Sequence, residues 1–494
     1  MSLSKKQFIK NSVWTFLELT LYPVLMIIAT PVFIKKLGIE QYGLWMLVST
    51  ITLGINVLNI GVGDTNIRLI SKYRAEDNFG LIKRVFNYNF SLSLFLCLSA
   101  CVVGILFYYS NFISIFYKTT DYNFANTILL LACFSSGIKF IEIAILSVFK
   151  AFERFDINSK LVLFSKNSTM IMNLVLVILN YNLITIFTVS VCINFVNIII
   201  QLTVLFFYER KIIGFPNLVF FREKLDELNY NFWYWSQSVV ALLGFLADKL
   251  LVAYFTDVKT LGYYSIASLI GAQIHNFFLS FGSFIFPRVS FKLAEKKDLA
   301  RIYFVSRGIV ALLGWALIAF LILFGDFIFK LWLGHETFIN SIYFIKLYLV
   351  FEAGMLLIIV PFYFINGTHH IKLNSLFEVV IRSTHFLAML VGFYLIGVNG
   401  IIYGLILSTF LNIPFQYFYF HKRVMPGIAP FQYLWVITPV FFLLGLIISG
   451  NVFFQLSLVL CLLAACKLIY FDPAKQYSRE TFLFSSLFGR LESK

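Results

Sequence analysis

Charge is what this sequence is short of. Asp, Glu, Lys and Arg make up only 13% of its 494 residues, where a water-soluble domain carries about 25%. So little charge cannot coat a soluble domain of this length, and a domain count from length does not apply. Cysteine is rare as well. Cys97, Cys101, Cys133, Cys192, Cys461 and Cys466 all fall inside apolar runs, which excludes an exposed disulfide framework. None is spaced with a His as metal ligands are, so they read as small apolar side chains. A P-loop, a dinucleotide-binding glycine fingerprint and zinc-ligand spacing are all missing, so no cofactor, no metal and no catalytic residue is expected. Asn167-Ser168-Thr169 matches a glycosylation sequon but sits in an apolar run, and His369-His370 reads as a solvated turn.

What is abundant is apolar length. Hydrophobic residues are 60% of the chain and aromatics 19%, and mean hydropathy is +0.86. Continuous apolar runs, each near the ~20 residues a helix needs to cross a bilayer, occur at 13–34, 43–63, 85–108, 125–149, 161–180, 183–207, 232–254, 263–286, 305–325, 341–365, 374–396, 398–420, 432–449 and 452–470. Continuous runs exclude a membrane β-barrel, whose strands alternate apolar and polar. The first run is too long for a signal-peptide core and lacks a small-residue cleavage site, so it reads as a retained span. Two-residue links such as Tyr181-Asn182 predict tight helical hairpins.

Orientation follows from basic residues in the loops. With the N-terminus inside, the outer segments hold only Lys35, Lys36, Lys118, Lys259 and Lys330. The inner segments hold Lys5, Lys6, Lys10, Arg68, Lys72, Arg74, Lys83, Arg84, Arg288, Lys292, Lys422, Arg423 and many more. Both termini are therefore expected in the cytoplasm. The formal net charge of +15 is explained by this bias, and no nucleic-acid partner is expected. The outer loops at 109–124 and 326–340 are short, which disfavours a membrane glycosyltransferase or polymerase with an external catalytic domain.

An internal repeat occurs at an offset of 219 residues: Trp14 aligns with Trp233, Gly43 with Gly262 and Ser49 with Ser268. With one insertion, Arg68 faces Arg288. Six spans separate the copies, so both have one orientation. The expected fold is an all-α integral membrane protein of about fourteen transmembrane helices: two parallel six-helix bundles, 1–220 and 221–425, and two additional helices with a tail at 426–494.

Ionisable groups inside spans are expensive and usually face a protein interior or water. They are Lys139, Lys166, Lys249, Arg307, Lys346, Arg382 and Lys467, with Glu18, Glu142, Asp248, Glu352 and Glu378, and the neutral-range His275 and His385. Spacing of three or four residues predicts local ion pairs for Lys139–Glu142 and Glu378–Arg382. Arg307 and Lys467 are placed to snorkel to the inner surface, and Lys249 to the outer one. Lys166 and Lys346 have no acidic residue three or four positions away. The candidates for a cationic, substrate-binding cavity are Lys166, Lys249, Lys346, Arg382 and Arg307. Glu18, whose repeat counterpart is Gln237, and Asp248 are candidates for ion coupling.

These features bring the chain close to a known family. Leu37-Gly38-Ile39-Glu40-Gln41-Tyr42-Gly43-Leu44-Trp45, Asn59-Ile60-Gly61-Val62-Gly63, Asp248-Lys249-Leu250-Leu251 and Leu261-Gly262-Tyr263-Tyr264, with fourteen spans and a parallel repeat, resemble the polysaccharide transporters. These are the Wzx-type O-antigen flippases of the multidrug/oligosaccharidyl-lipid/polysaccharide (MOP) exporter superfamily. The resemblance covers nearly the whole chain. It implies a non-enzymatic protein of the bacterial cytoplasmic (inner) membrane that moves an undecaprenyl-diphosphate-linked glycan, for O antigen, lipopolysaccharide or another surface polysaccharide, by alternating access. A proton or sodium ion, the lipid bilayer and polysaccharide polymerase machinery are the partners it suggests. Span cations would suit the diphosphate, with Arg giving bidentate contacts and Lys a point charge. A cation-coupled multidrug exporter of the same superfamily is the alternative, set back by the excess of bases over acids in the spans. A lipid II flippase fits within the transporter reading.

Overall fold

The computed structural model describes residues 5–55, 62–117, 122–210, 225–283, 300–367 and 371–424. Among them the chain is helical, with no strand. In order the helices are α1 (Lys5–Leu37), α2 (Ile39–Ile55), α3 (Val62–Ala75), α4 (Phe79–Tyr109), α5 (Tyr122–Ala151), α6 (Phe155–Ile178), α7 (Leu183–Glu209) and α8 (Leu225–Phe255). They continue with α9 (Val258–Ser283), α10 (Ala300–Leu333), α11 (His335–Gly367), α12 (Ile371–Ile396) and α13 (Val398–Arg423). Among the described residues, nine helices are long and apolar enough to cross a membrane. At 17 residues, α2 falls just short on length. The first twelve expected spans fall on α1, α2 and α4–α13, although the second, 43–63, runs through 56–61 and the eighth, 263–286, ends at 284–286, outside the described residues. The spans expected at 432–449 and 452–470 lie outside them too.

The helices overrun the apolar stretches, as α4 does in taking in Lys83 and Arg84. Beyond the hydrocarbon, water can satisfy side-chain charge without breaking the helix. Links are short where hairpins are expected. Asn182 caps α7 by accepting a hydrogen bond from the Thr185 backbone N–H at 2.9 Å. Gly397 turns α12 into α13 with φ of 73°, a left-handed conformation that costs other residues more.

Packing divides the chain into two compact units, Met1–Gly262 and Tyr263–Lys494. Because α8 packs against α2 within the first unit, this division falls later than the repeat-based boundary at 220, which itself lies outside the described residues.

In the first unit, α4 and α5 pack along small residues. A Cβ added to Gly104 would meet Cys133 Cβ at 2.7 Å, and one on Gly137 the Cys97 carbonyl at 3.0 Å. Lipid tails give helices no hydrophobic reason to associate, so close backbone approach and polar contacts hold them. The polar contacts are conspicuous. The side-chain amide of Asn89 donates to Asn66 Oδ1 at 2.7 Å, and that of Asn66 to Ser147 Oγ at 3.0 Å. Along α7, Ser190, Asn194, Asn197 and Gln201 fall on one face by their four-three-four spacing. They bond Asn173, Ser135, Ser165 and Glu142 in turn, on α6 and α5. Around the α3–α7 end lies an apolar core including Ile70, Ile82, Val85, Val148 and Leu205.

In the second unit, Gly392 and Gly400 lie against each other's backbone and Gly404 against the Ala388 carbonyl, which joins α12 closely to α13. The indole N–H of Trp315 donates to the Ala353 carbonyl at 2.9 Å, tying α10 to α11. The Tyr417 hydroxyl donates to the Leu357 carbonyl at 2.8 Å, tying α13 to α11.

Candidate functional site

Within the first unit the ionisable residues of the spans gather around α1, α5 and α6. Lys139 lies near the middle of α5, and Gly137 and Phe140 beside it are buried, yet its own side chain is exposed. Spacing predicts an ion pair between Lys139 and Glu142, but no such pair forms. Glu142 instead accepts a hydrogen bond from the Gln201 amide at 2.8 Å, because the helix carries its carboxylate toward α7. The ammonium of Lys139, at the surface yet closely surrounded by protein, lies in the fields of the Glu142 carboxylate and of the like charge of Lys166 on α6.

Lys166 is exposed in mid-helix as well, with its Nζ 6.0 Å from the centre of the Tyr22 ring on α1. One and a half turns earlier on α6, Lys160 sits 4.8 Å from the Trp14 ring centre. Trp14, Glu18 and Tyr22 are four apart and share one face of α1. Glu18, half-buried, thus lies on the α1 stripe that meets α6, and among the described residues it makes no ion pair. The side chain of its counterpart Gln237 lies outside the described residues.

This arrangement is chemically informative. Two lysines whose charges repel sit at membrane depth with their side chains accessible, while the Glu142 carboxylate beside Lys139 is engaged by an amide. A bare charge at a helix centre costs about 2.5–3.5 kcal/mol on insertion scales. Two together are tolerable only in a hydrated space or beside an anion. Local spacing hides Lys139 as a site residue, because the residue three positions on, Glu142, is acidic.

The other expected site residues stand apart from this pair. Lys249, also in the first unit, is buried, with its Nζ 4.3 Å from the Phe245 ring centre and 3.6 Å from Asp248 Oδ1. It does not snorkel outward, and Asp248 Oδ1 also accepts from the Lys249 backbone N–H at 2.8 Å.

In the second unit, Lys346 pairs with Asp326 of α10 at 2.8 Å, a partner twenty positions away that local spacing does not reveal. Arg382 pairs with Glu378 at 3.1 Å, as spacing predicts. Arg307 does not snorkel either. It is buried among aromatic rings, with its guanidinium 5.2 Å from the ring centres of Tyr303 and Phe304 and 5.6 Å from Tyr417. Tyr303 in turn packs on Phe364 and Phe420. Phe and Tyr rings attract a desolvated cation through their negative faces, so packing holds this charge. Two residues weighed only as isolated ionisable groups are brought together: His275 Nδ1 lies 2.6 Å from Glu352 Oε1.

Comparison with known proteins agrees with the fold. The sequence matches the family described as polysaccharide biosynthesis protein over residues 8–293. No curated protein sequence matches it. Among solved structures, it is similar to the lipid II flippase MurJ in an inward closed conformation. That match has 14% identity and a TM-score of 0.66, over 96% of this chain and 100% of that one. It is also similar to an inward-facing multidrug resistance MATE family transporter of the MOP superfamily, with 14% identity and a TM-score of 0.64, over 81% and 95%. A MOP superfamily transporter from Pyrococcus furiosus, described as having a binding pocket of reverse polarity, matches with 13% identity and a TM-score of 0.62, over 86% and 97%. At these identities the likeness is one of fold.

Proposed function

The chain belongs to the polysaccharide biosynthesis protein family, a multi-pass membrane protein with the fold of the MOP flippases and transporters, and we propose that it translocates a polyprenyl-diphosphate-linked oligosaccharide across the bacterial cytoplasmic membrane. Undecaprenyl is the expected lipid, and the glycan is an O-antigen or other surface polysaccharide unit. Both termini face the cytoplasm, and the protein alternates between inward- and outward-open states. The observation that carries this reading is the exposed Lys139–Lys166 pair at membrane depth. A diphosphate supplies the opposing charge that the pair lacks.

The same observation weighs against export of cationic drugs, which would favour acidic groups in that space; Glu142, the carboxylate beside Lys139, is already held by Gln201. A binding competition separates the readings. Undecaprenyl diphosphate should raise the thermal midpoint of the purified chain, and a cationic dye should not. Stabilisation by the dye alone would favour the drug exporter.

A further inference from the structure

The second unit holds a buried titratable pair with no part in binding an anion. His275 comes from α9 and Glu352 from α11. Their side chains meet at 2.6 Å between Nδ1 and Oε1, so that the imidazole donates to the carboxylate and one further proton can be taken up by the pair. Glu352 is almost fully enclosed, whereas the His275 side chain is 27% exposed, so the pair has one sealed and one accessible end. Gly271, one turn before His275, lets α9 approach the face of α11 that carries Tyr348 and Glu352: a Cβ there would meet Tyr348 Cδ1 at 2.5 Å and Glu352 Oε2 at 3.8 Å.

The charged groups that face the pair are Arg382 and Glu378 of α12, bonded to each other at 3.1 Å. His385, also on α12, is buried and contacts Thr409 Oγ1 of α13 at 3.1 Å. From α10, the indole N–H of Trp315, a neutral group, donates to the Ala353 carbonyl. With a proton on the His275–Glu352 pair, two positive and two negative charges cancel. Without it, one negative charge is left in the interior of the unit, a costly state in a low-dielectric surrounding. Gain or loss of one proton therefore switches this cluster between a neutral and a charged state. A sodium ion fits less well, because hard cations take oxygen ligands and one carboxylate oxygen here is already engaged by imidazole nitrogen.

We propose that the His275–Glu352 pair is a proton-binding site that couples proton movement to translocation. The coupling part rests on the transport function proposed above; the proton site does not. The test uses the purified full-length chain, with proton uptake counted by a pH-indicator dye after a jump from alkaline to acidic pH. Wild type should take up about one proton more per chain than His275→Asn or Glu352→Gln. Glu352→Asp, which keeps the carboxylate but retracts it, should keep the count and shift the pH at which uptake occurs, and this guards against misfolding in the other two. In vesicles loaded with undecaprenyl-diphosphate-linked oligosaccharide, an imposed pH gradient should accelerate translocation by wild type and leave the rate of Glu352→Gln unchanged. Equal proton counts in wild type and folded Glu352→Gln would overturn the site, and a retained gradient response in Glu352→Gln would overturn its coupling role. A wild-type chain that shows the extra proton yet moves no glycan lipid would uphold the proton site and overturn the substrate reading.

Discussion

Gly43, near the start of α2, lies against the backbone carbonyl of Val258, so that any side chain at position 43 would collide with it. The contact is reciprocal. A Cβ on Gly262 would fall 2.7 Å from the carbonyl of Ile39. Ile39 and Val258, like Gly43 and Gly262, are related by the repeat offset of 219 residues, so the two copies touch through equivalent positions, as in an isologous interface. We expect Gly43→Ala and Gly262→Ala to slow transport several-fold at unchanged membrane abundance, Gly43→Ala more severely because its neighbour is the closer backbone oxygen. Transport assays normalised to inserted protein decide this. Wild-type rates in both variants would deprive the crossing of any mechanical role.

The lysines are expected to separate into two groups. Lys139→Gln and Lys166→Gln should each lower transport by about tenfold or more, as loss of a contact worth at least ~1.4 kcal/mol would do. Lys346→Gln removes an ion pair whose partner, Asp326, is 61% exposed, and exposed pairs contribute only about 0.2–1 kcal/mol. Its transport should stay within about twofold of wild type. Side-by-side export rates at matched expression check the order, and a Lys346 variant more impaired than the Lys166 variant would reverse it.

Arg307 is expected to matter for stability. Desolvated cation–π contacts contribute about 2 kcal/mol, and Arg307→Leu exchanges the guanidinium among Tyr303, Phe304 and Tyr417 for a smaller apolar group. The thermal midpoint should fall while transport per folded chain is kept. An unchanged midpoint with lost transport would mean instead that Arg307 meets the substrate.

These cases show which parts of the molecule are written locally in the sequence. Helix positions and hairpin links such as Gly397 are legible because hydropathy and turn chemistry are local signals. The Glu378–Arg382 pair is legible for the same reason, being one helical turn. Lys139–Glu142 has equally suitable spacing, but a second helix, α7, offers Gln201 as a better partner. Pairs such as Lys346–Asp326 and His275–Glu352 join different helices. Only tertiary packing selects them, and a single sequence carries no trace of the choice. Position near a span end predicts snorkelling for Arg307 and Lys249. A cluster of rings from α10 and α13 overrides it for Arg307, and the Phe245 ring with the Asp248 carboxylate does so for Lys249.

Topology gives an independent check on the orientation drawn from loop charge. Reporter fusions after Arg423 and after Lys494 should both read cytoplasm. A periplasmic signal after Arg423 would contradict an even number of spans up to that point.

The central claim is that this chain carries a diphosphate-linked glycan past its paired lysines. The most direct measurement is the initial rate at which undecaprenyl-diphosphate-linked oligosaccharide, incorporated in the inner leaflet of vesicles containing the purified protein, becomes accessible to an external glycosidase. Wild type should exceed protein-free vesicles by about tenfold or more, and the Lys139→Gln/Lys166→Gln double variant, folded and equally incorporated, should fall back toward the protein-free rate. A wild-type rate equal to that of protein-free vesicles, or a double variant as fast as wild type, would contradict the account.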